Sequence, residues 1–359
     1  MKIFSTILIA FTLGTASSLA QTVISSYKPG VTSEGAVYYL PKTSIRVTMQ
    51  VEKSTYTPGE FCKYSEKYLR IKDVPTNAST KYRILSVKQE PFAIADTSKC
   101  YAVKFDAKTV ACNVRLSNEG ILLAINTDAK QPKSAPAPTQ QPRPLKNSPK
   151  SYLSEEILSA GSTAKMAELT AQEIYELRES KSMLAKGQAD FMPKDGEQLK
   201  LMLEELNTQN EALTSLFIGT TENDTTTHTF TYVVDKPTKR DILFRFSPEY
   251  GLVDNDDLSG TPYYINIEDL KTVAEPETVD PKKAAKPQQS GIYVNVPGKM
   301  RATIFDAKNQ IVSNEFAAGQ FGNVELLSGV LFNKKYTTRL LLNALTGAVE
   351  KLEAEQPKK

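Results

Sequence analysis

The stretch of sequence that decides the fold class is Ile45-Arg-Val-Thr-Met-Gln-Val-Glu52. Its apolar side chains alternate with polar ones, and this period of two indicates a β-strand with one buried face. The turn Ser117-Asn-Glu-Gly120 has a glycine where a hairpin requires a positive φ. The first part of the chain is therefore predicted to be β-rich, with further strands at 82–88, 100–105, 110–116 and 121–126.

Helical periodicity replaces the strand period in the middle of the chain. One apolar stripe ends at Gly187, and Thr170-x-x-Glu173 predicts a capping box near its start. A second stripe follows Asp195, a predicted N-cap. We predict an antiparallel helical hairpin over about 163–217, packed against strands of the second half. Strand patterns then return at 227–235, 241–246, 263–267, 293–296, 300–305, 337–342 and 348–352.

The predicted organisation is α+β, with two β-rich units and the helical hairpin inserted between them. Six prolines among polar residues mark 129–151 as a linker. The N-terminal β-rich unit is then 21–128. Residues 152–359 hold the hairpin and the C-terminal β-rich unit.

Two motifs occur twice. A glycine is followed six residues later by a proline at 35–41 and again at 291–297. An apolar residue, Leu40 or Val296, precedes each proline. A strand-turn segment that starts with arginine and ends with glycine is found at 115–120 and 245–251. A divergent duplication and chance similarity both explain these matches, and the sequence leaves both explanations open.

The N-terminus indicates export. Residues 1–20 have the charged, apolar and small-residue order of a signal peptide, so the mature chain is expected to begin at Gln21. No later stretch is apolar enough to span a bilayer, and no cysteine lies at the cleavage point to carry a lipid. We expect a soluble periplasmic or extracellular protein without a transmembrane segment or lipid anchor.

Composition excludes several classes of function. The chain has 44 basic and 41 acidic residues, which argues against nucleic-acid binding by bulk charge. It has one histidine, three cysteines and no tryptophan, few of the residues that zinc sites and histidine relays use. We predict no cofactor. Cys100 and Cys112 lie on neighbouring predicted strands, and whether they form a disulfide stays open, whereas Cys62 is expected to be a buried filler residue.

The sequence offers few catalytic or metal-binding residues. His228 has no nucleophile elbow to work with, and no phosphate-binding glycine loop is present. We therefore lean against an enzyme. Asp254, Asp256 and Asp257 are the candidate calcium ligands, but their spacing departs from the calcium-loop pattern. A solvated turn without metal is the preferred interpretation of this segment.

The remaining ligand-capable groups are aromatic. Tyr38 and Tyr39, and likewise Tyr263 and Tyr264, are adjacent on predicted strands, so one ring of each pair should face outward. An outward ring either stacks on a ligand or fills a gap between sheets. From these features we expect a non-enzymatic binding or assembly module of the cell envelope, whose partner is an envelope protein or a glycan. The alternative is a hydrolase that acts on glycan or peptide through carboxylates.

Several strings of this sequence resemble one family. They are Leu40–Thr43, Phe61–Leu69, Leu216–Thr221, Gly251–Gly260 and Gln320–Asn323. The family that the chain resembles is an uncharacterised one of exported proteins from anaerobic Gram-negative bacteria, known as a domain of unknown function. The resemblance runs from about Glu34 to Glu350. It implies an extracytoplasmic setting and one continuous family unit, and it assigns no functional residue.

Asp224-Thr225-Thr226 is similar to the short acceptor sequence for protein O-glycosylation in such bacteria, and we expect it in an exposed loop. If Thr225 carries a glycan, the intact mass of the natively exported protein will exceed that of the chain from Gln21. The excess will disappear in Thr225→Ala. A mass equal to the processed chain contradicts the assignment.

Overall fold

The computed structural model describes residues 31–32, 35–103, 113–132, 148–190, 192–193, 195–274, 291–332 and 337–355. The fold is α+β, in agreement with the sequence prediction. The strands in these ranges are β1 (Val31–Thr32), β2 (Gly35–Thr57), β3 (Ser79–Val103), β4 (Val114–Leu116), β5 (Leu122–Ile125), β6 (Thr220–Tyr232), β7 (Thr238–Ser247), β8 (Gly251–Val253), β9 (Thr261–Asp269), β10 (Gly291–Phe305), β11 (Gln310–Ser328), β12 (Thr337–Leu342) and β13 (Val349–Glu355). The α-helices there are α1 (Ser65–Leu69), α2 (Glu155–Leu158), α3 (Thr163–Lys186) and α4 (Gly196–Ile218).

The first sheet is built on β2, a strand of 23 residues. β3 pairs along one edge of β2 and β6 along the other, and both are antiparallel to it. The alternating apolar residues of the deciding stretch, from Ile45 to Val51, are buried on one face, while Gln50 on the opposite face is exposed. The two-residue period in the sequence thus becomes a buried and an exposed face of the sheet.

Two further antiparallel sheets complete the β-structure. The second sheet has the order β11-β10-β9-β7-β8, and the third has the order β13-β12-β5-β4. Ile45 and Val47 of the first sheet share a core with Met300 of the second. Tyr38 of the first sheet shares another core with Leu340 of the third. The described strands before residue 133 therefore pair and pack with strands after residue 147.

The two long helices begin and end at recognisable residues. Ser162 is the N-cap of α3, and its side chain accepts a hydrogen bond from the Lys165 N–H. The predicted capping box at Thr170 is wrong, because Thr170 lies inside α3 and its hydroxyl donates to the Met166 carbonyl. The predicted end is confirmed, since Gly187 caps α3 with a φ of 70°. Asp195 is the N-cap of α4, as predicted.

Side chains pair the two long helices in opposite chain directions. Arg178 of α3 bonds Asn210 of α4, and Lys181 bonds Asn207. The prediction that the helices pack against strands of the second half is wrong. Their apolar stripes instead share a core with side chains from 61–69 and 153–157.

The contact between α4 and the segment before α1 explains this packing. The Phe61 N–H donates to the Leu216 carbonyl over 2.7 Å, and the Phe61 ring lies 5.4 Å from the Phe217 ring. A Cβ added at Gly59 would lie 2.2 Å from the Leu216 oxygen, so only glycine permits this approach. Local sequence periodicity carries no information about such a contact between distant segments.

Several strand predictions need correction in extent. The run predicted at 82–88 and residues 100–103 of the run predicted at 100–105 belong to the single strand β3, while 104–105 lie outside the described residues. The runs predicted at 293–296 and 300–305 belong to the single strand β10. β11 has no counterpart among the predicted strands. Gly319, Gly322 and many polar residues interrupt any apolar alternation in β11, which pairs with β10 on both sides of a register shift at 319–322.

The motifs that occur twice have similar local geometry. β2 and β10 each begin at the glycine of the first motif, and each shifts register beside its proline. In the second motif, Ser117 and Ser247 accept hydrogen bonds from backbone N–H groups of their turns. Gly120 and Gly251 both have a positive φ, of 81° and 77°. Duplication remains a hypothesis that fits these similarities.

The second edge of β2 changes partner along its length. β6 pairs with β2 only from Ile45 onward, so the backbone just before Ile45 needs other hydrogen-bond partners. The Gln320 side chain supplies them: its Oε1 accepts from the Thr43 N–H over 2.9 Å, and its Nε2 donates to the Thr43 carbonyl over 2.7 Å. The Gln320 amide thus replaces one residue of a neighbouring strand.

A neighbouring asparagine extends the same edge. Asn295 Nδ2 donates to the Pro41 carbonyl over 3.0 Å and to the Thr346 carbonyl over 2.8 Å. The bond to the Thr346 carbonyl requires the backbone at Gly347 to approach Pro41 closely. A Cβ on residue 347 would lie 2.7 Å from the Pro41 ring. These contacts join β2, β10, β11 and the β12–β13 turn at one junction.

Gln320→Glu should lower the free energy of unfolding by about 2–3 kcal/mol, because a carboxylate cannot donate to the Thr43 and Val234 carbonyls. Gln310→Glu, at an exposed position on the same strand, should change it by less than about 0.5 kcal/mol. Urea denaturation at pH 7 measures both. Equal midpoints for the two variants would contradict the role given to Gln320.

The predicted boundaries of the two units stay predictions. Residues 133–147, the main part of the linker predicted at 129–151, lie outside the described residues. The signal peptide predicted at 1–20 and most of the loop predicted at 272–290 lie outside them as well.

Candidate functional site

Tyr38 is a core residue in this structure, with an exposed fraction of 1%. Its hydroxyl accepts a hydrogen bond from the Tyr293 N–H over 2.8 Å and donates to the Tyr293 carbonyl over 3.2 Å. Burial raises the pKa of the Tyr38 hydroxyl well above its usual value. Tyr39 is half-buried on the other face of β2. Tyr38 therefore links β2 to β10 and presents no ring surface to a ligand.

The second tyrosine pair is also engaged by the protein. Tyr263 stacks on Phe244 with ring centroids 4.7 Å apart, and burial raises the pKa of the Tyr263 hydroxyl. The Tyr264 ring lies 5.6 Å from the Phe305 ring, and the Arg240 guanidinium lies 4.8 Å from the Tyr264 centroid. Both rings are half-buried and pack on side chains of this chain.

The three aspartates considered for calcium lie in an exposed turn between β8 and β9. Asp257 accepts a hydrogen bond from the Ser259 N–H over 2.8 Å, and this bond lowers the pKa of the Asp257 carboxyl. The Arg245 side chain holds this turn by donating hydrogen bonds to the carbonyls of Asn255 and Gly260. In the described ranges, no three His, Cys, Asp or Glu side chains are grouped to hold a metal ion. Asp254 and Asp256 thus belong to a turn that hydrogen bonds already organise.

The expected loop around Thr225 is instead part of strand β6. Thr225 lies opposite Glu52 on β2 and is exposed, so its hydroxyl faces solvent from a strand. His228 lies three residues further on the same strand, opposite Met49, and its ring Nε2 is 3.3 Å from the Thr226 hydroxyl. The prediction of a loop here is wrong because pairing with β2 orders this threonine-rich segment.

The cysteines offer no reactive cluster within the described residues. Within the described residues neither Cys62 nor Cys100 forms a disulfide, and their side chains are half-buried and exposed respectively. Cys112 lies outside the described residues, so the pairing considered for Cys100 and Cys112 stays open.

One cleft of the described structure has a volume of about 710 Å³ and lies beside the outer face of the first sheet. Five segments form it: β2, β3, the β4–β5 turn, residues 131–132 and the β12–β13 turn. The polar side chains in its wall are Arg46, Glu90, Ser117, Asn118, Glu119 and Gln131, and the apolar ones include Phe92, Ile121 and Leu345. We refer to it below as the Arg46 cleft.

Arg46 is the cation in the wall of this cleft. Its guanidinium carbon lies 5.0 Å from the Phe92 ring centroid, and the side chain is half-buried. Glu90 lies opposite Arg46 in the β2–β3 register. Within the described residues, Arg46 nevertheless makes no ion pair and no hydrogen bond through its side chain. Its donors are therefore available to a ligand.

A second, smaller cleft of about 420 Å³ lies where α4 meets the end of β2. Lys150 and Glu60 in its wall form a salt bridge of 2.9 Å. Gly59 in the same wall permits the close backbone approach described above, and a Cβ at Gly219 would lie 2.5 Å from the Thr57 carbonyl oxygen. This cleft is thus lined by groups that already stabilise the fold.

The carboxyl groups with shifted pKa values lie outside both clefts. Burial raises the pKa of Glu173 on α3, and a hydrogen bond from Lys351 lowers that of Glu353 on β13. Neither of these residues, nor Asp257, lines either of the two clefts. The carboxylates in the Arg46 cleft, Glu90 and Glu119, are both exposed.

Sequence reasoning did not identify the Arg46 cleft. The alternation in β2 predicted that Arg46 would face away from the core, and this is correct. Phe92, however, lies between two predicted strands, in a part of β3 that sequence analysis left unassigned. Only the tertiary structure brings the turns at 117–119 and 344–345 to the same place.

Tyr38→Phe should lower the free energy of unfolding at pH 7 by about 1–3 kcal/mol, because the Tyr293 N–H and carbonyl lose their partner. The exposed Tyr250→Phe serves as the control. Chemical denaturation of both variants measures the difference, and equal stability would contradict the linking role of Tyr38.

The same residue predicts a loss of stability at alkaline pH. The Tyr38 pKa is higher in the folded than in the unfolded chain, so its contribution is complete below the unfolded value of about 10. It decreases as pH rises toward and through the folded value. As pH rises above about 10, the stability of Tyr38→Phe should therefore decline less steeply than that of the wild type, and parallel profiles in this range would contradict the prediction.

Comparison with known proteins gives a family and no relative of known activity. None of the helices in the described ranges has the length and apolar character that a membrane crossing requires. No curated protein and no solved structure matches the chain. A family model, Domain of unknown function (DUF4831), matches residues 34–350 of the 359 residues. The chain therefore belongs to the DUF4831 family, a domain of unknown function.

Proposed function

We propose that this chain is an exported, non-enzymatic binding module of the cell envelope, and that the Arg46 cleft holds an acidic glycan. The observation that carries the proposal is the Arg46 guanidinium, which lies on Phe92 in the cleft wall without an ion pair among the described residues. A planar cation in this position is suited to bind a carboxylate through two parallel hydrogen bonds.

The position of Arg46 favours recognition by charge. Its stem belongs to the central strand β2, and Phe92 packs against one face of its guanidinium. Preorganisation of this kind lowers the conformational entropy that an arginine loses when it binds. Because the side chain is half-buried, a ligand carboxylate there is screened less than one bound at an exposed lysine.

The other polar groups of the cleft suit hydroxyl groups. Glu90 and Glu119 accept hydrogen bonds, while Asn118 and Gln131 both donate and accept them. Phe92 and Leu345 supply apolar surface beside these groups. A saccharide that carries one carboxylate and several hydroxyls satisfies this combination. The volume of about 710 Å³ is within the range of ordinary ligand sites.

Exposure of the two carboxylates supports binding over hydrolysis. Glycan hydrolysis through carboxylates uses one carboxyl group that its surroundings keep protonated, such as an apolar pocket. Glu90 and Glu119 are exposed at the rim, beside polar groups. Export and the envelope location rest on the order of residues 1–20 and form part of the proposal.

Arg46→Gln should weaken binding of a uronic-acid tetrasaccharide at least tenfold, about 1.4 kcal/mol, because the amide carries no charge. The dissociation constant of Arg46→Lys should lie between those of the wild type and Arg46→Gln, since lysine keeps the charge without the planar pair of donors. Isothermal titration calorimetry measures the dissociation constants. A neutral tetrasaccharide of the same linkage should bind at least tenfold more weakly than the acidic one.

Arg83→Gln is the matched control, because Arg83 is an exposed arginine of the same sheet that pairs with Glu52 outside the cleft. It should leave the dissociation constant unchanged. Equal binding of the acidic and neutral saccharides, or unchanged binding by a folded Arg46→Gln, would contradict the proposed ligand. Cleavage of either saccharide, detected by mass spectrometry, would instead favour the alternative function, a hydrolase.

A further inference from the structure

We infer that the ligand of the Arg46 cleft is a glycan in which acidic sugars alternate with neutral ones, and that it continues from the cleft onto the outer face of the first sheet at Lys88. This role of Lys88 rests on the proposed function and deepens it, because it specifies the order of charges along the ligand. The observation behind it is that Arg46, Glu90 and Lys88 form a row of cation, anion and cation.

Strand pairing places the three charged residues on one surface. Glu90 lies opposite Arg46 in the β2–β3 register, and Lys88 lies opposite Thr48. Residues that oppose each other share a face of the sheet, as do residues two apart on one strand. Lys88 therefore belongs to the outer face from which Arg46 and Glu90 line the cleft. Lys88 and Glu90 are both exposed.

The three charges are ordered along β3. Arg46 and Lys88 are diagonal neighbours, whose Cβ atoms are about 7–8 Å apart in a regular sheet. The Arg46 guanidinium leans toward the opposite diagonal neighbour, Phe92, and lies 5.0 Å from its ring centroid. Glu90 lies between Lys88 and Phe92 on β3. A ligand that runs along β3 from the cleft thus meets a cation, an anion and a second cation.

The charges of Lys88 and Glu90 are available to a ligand. No ion pair between described residues includes either of them. Two ligand carboxylates can therefore bind at Arg46 and Lys88, while Glu90 accepts hydrogen bonds from hydroxyl or amide groups between them. A carboxylate placed at Glu90 meets a like charge, which weakens binding. This order selects a chain with a neutral sugar between two acidic ones.

Threonines of β6 extend the polar surface beside these charges. Thr229 lies opposite Thr48, and Thr231 lies opposite Arg46. Both β6 threonines are exposed on the same outer face. Their hydroxyls donate and accept hydrogen bonds, as the hydroxyl groups of a saccharide require.

The protein itself uses the polar groups of the outer face beyond Lys88. The Ser86 hydroxyl donates to the Gln50 side chain over 3.0 Å. Arg83 and Glu52 form an ion pair of 2.6 Å. The proposed ligand surface therefore extends from Arg46 to Lys88, a distance that a short oligosaccharide spans.

Isothermal titration calorimetry of the full chain with three oligosaccharides tests the order of charges. The first is a tetrasaccharide in which glucuronic acid alternates with N-acetylglucosamine, the second is a tetrasaccharide of glucuronic acid alone, and the third is a disaccharide with one glucuronic acid. The wild type should bind the alternating tetrasaccharide about threefold more tightly than the all-acidic one, because the latter brings a carboxylate to Glu90.

Lys88→Gln should weaken binding of the alternating tetrasaccharide about threefold, the effect of one exposed ion pair. It should leave binding of the disaccharide unchanged, because Arg46 holds the single carboxylate. Lys81→Gln is the matched control, since Lys81 is an exposed lysine of the same strand that lies opposite Ser54. This control should change neither dissociation constant.

Glu90→Gln should strengthen binding of the all-acidic tetrasaccharide about threefold, because it removes the like charge. Glu249→Gln, at an exposed position in the β7–β8 turn, should leave that binding unchanged. Circular dichroism melting curves show whether each variant is folded.

Two results would overturn the inference while the proposed function stands. They are equal binding of the two tetrasaccharides by the wild type, and wild-type binding of the alternating tetrasaccharide by a folded Lys88→Gln, in each case with weaker binding by Arg46→Gln. Unchanged binding by Arg46→Gln would overturn the proposed function and the inference together. Tighter binding of a peptide with alternating glutamates than of either tetrasaccharide would overturn the glycan as the ligand.

Discussion

The backbone of β2 just before Ile45 needs hydrogen-bond partners that no neighbouring strand supplies in full, and much of the structure is arranged around this requirement. Gln320 bonds both backbone groups of Thr43, and Asn295 bonds the Pro41 carbonyl. The β10–β11 hairpin is thereby attached to β2. The turn at Thr346 joins the same junction, so all three sheets meet where β2 lacks a regular partner.

This junction also brings together some of the sequence segments on which the family resemblance rests. Leu40–Thr43 and Gln320–Asn323, which are far apart in sequence, meet through the bonds between Gln320 and Thr43. Phe61–Leu69 and Leu216–Thr221 meet through the bond from the Phe61 N–H to the Leu216 carbonyl. Four of the five strings therefore lie where hydrogen bonds join distant segments of the chain.

One long strand supplies the cation of the proposed ligand site. The outer face of β2 presents Arg46 to the cleft. The core face of the same strand is buried from Ile45 to Val51. The core of the protein therefore positions Arg46, while two turns and residues 131–132 supply other parts of the cleft wall.

The sequence by itself determined the fold class, the alternation that buries one face of β2, and the caps at Asp195 and Gly187, because these depend on residues close together in the chain. It also predicted that one ring of each tyrosine pair would face outward, whereas Tyr39, Tyr263 and Tyr264 are all half-buried. Which ring is buried, the existence of β11 and the assembly of the Arg46 cleft were decided by the tertiary structure alone. The physical reason is that each depends on hydrogen bonds or packing between segments that lie far apart in the chain, and local periodicity contains no record of such contacts.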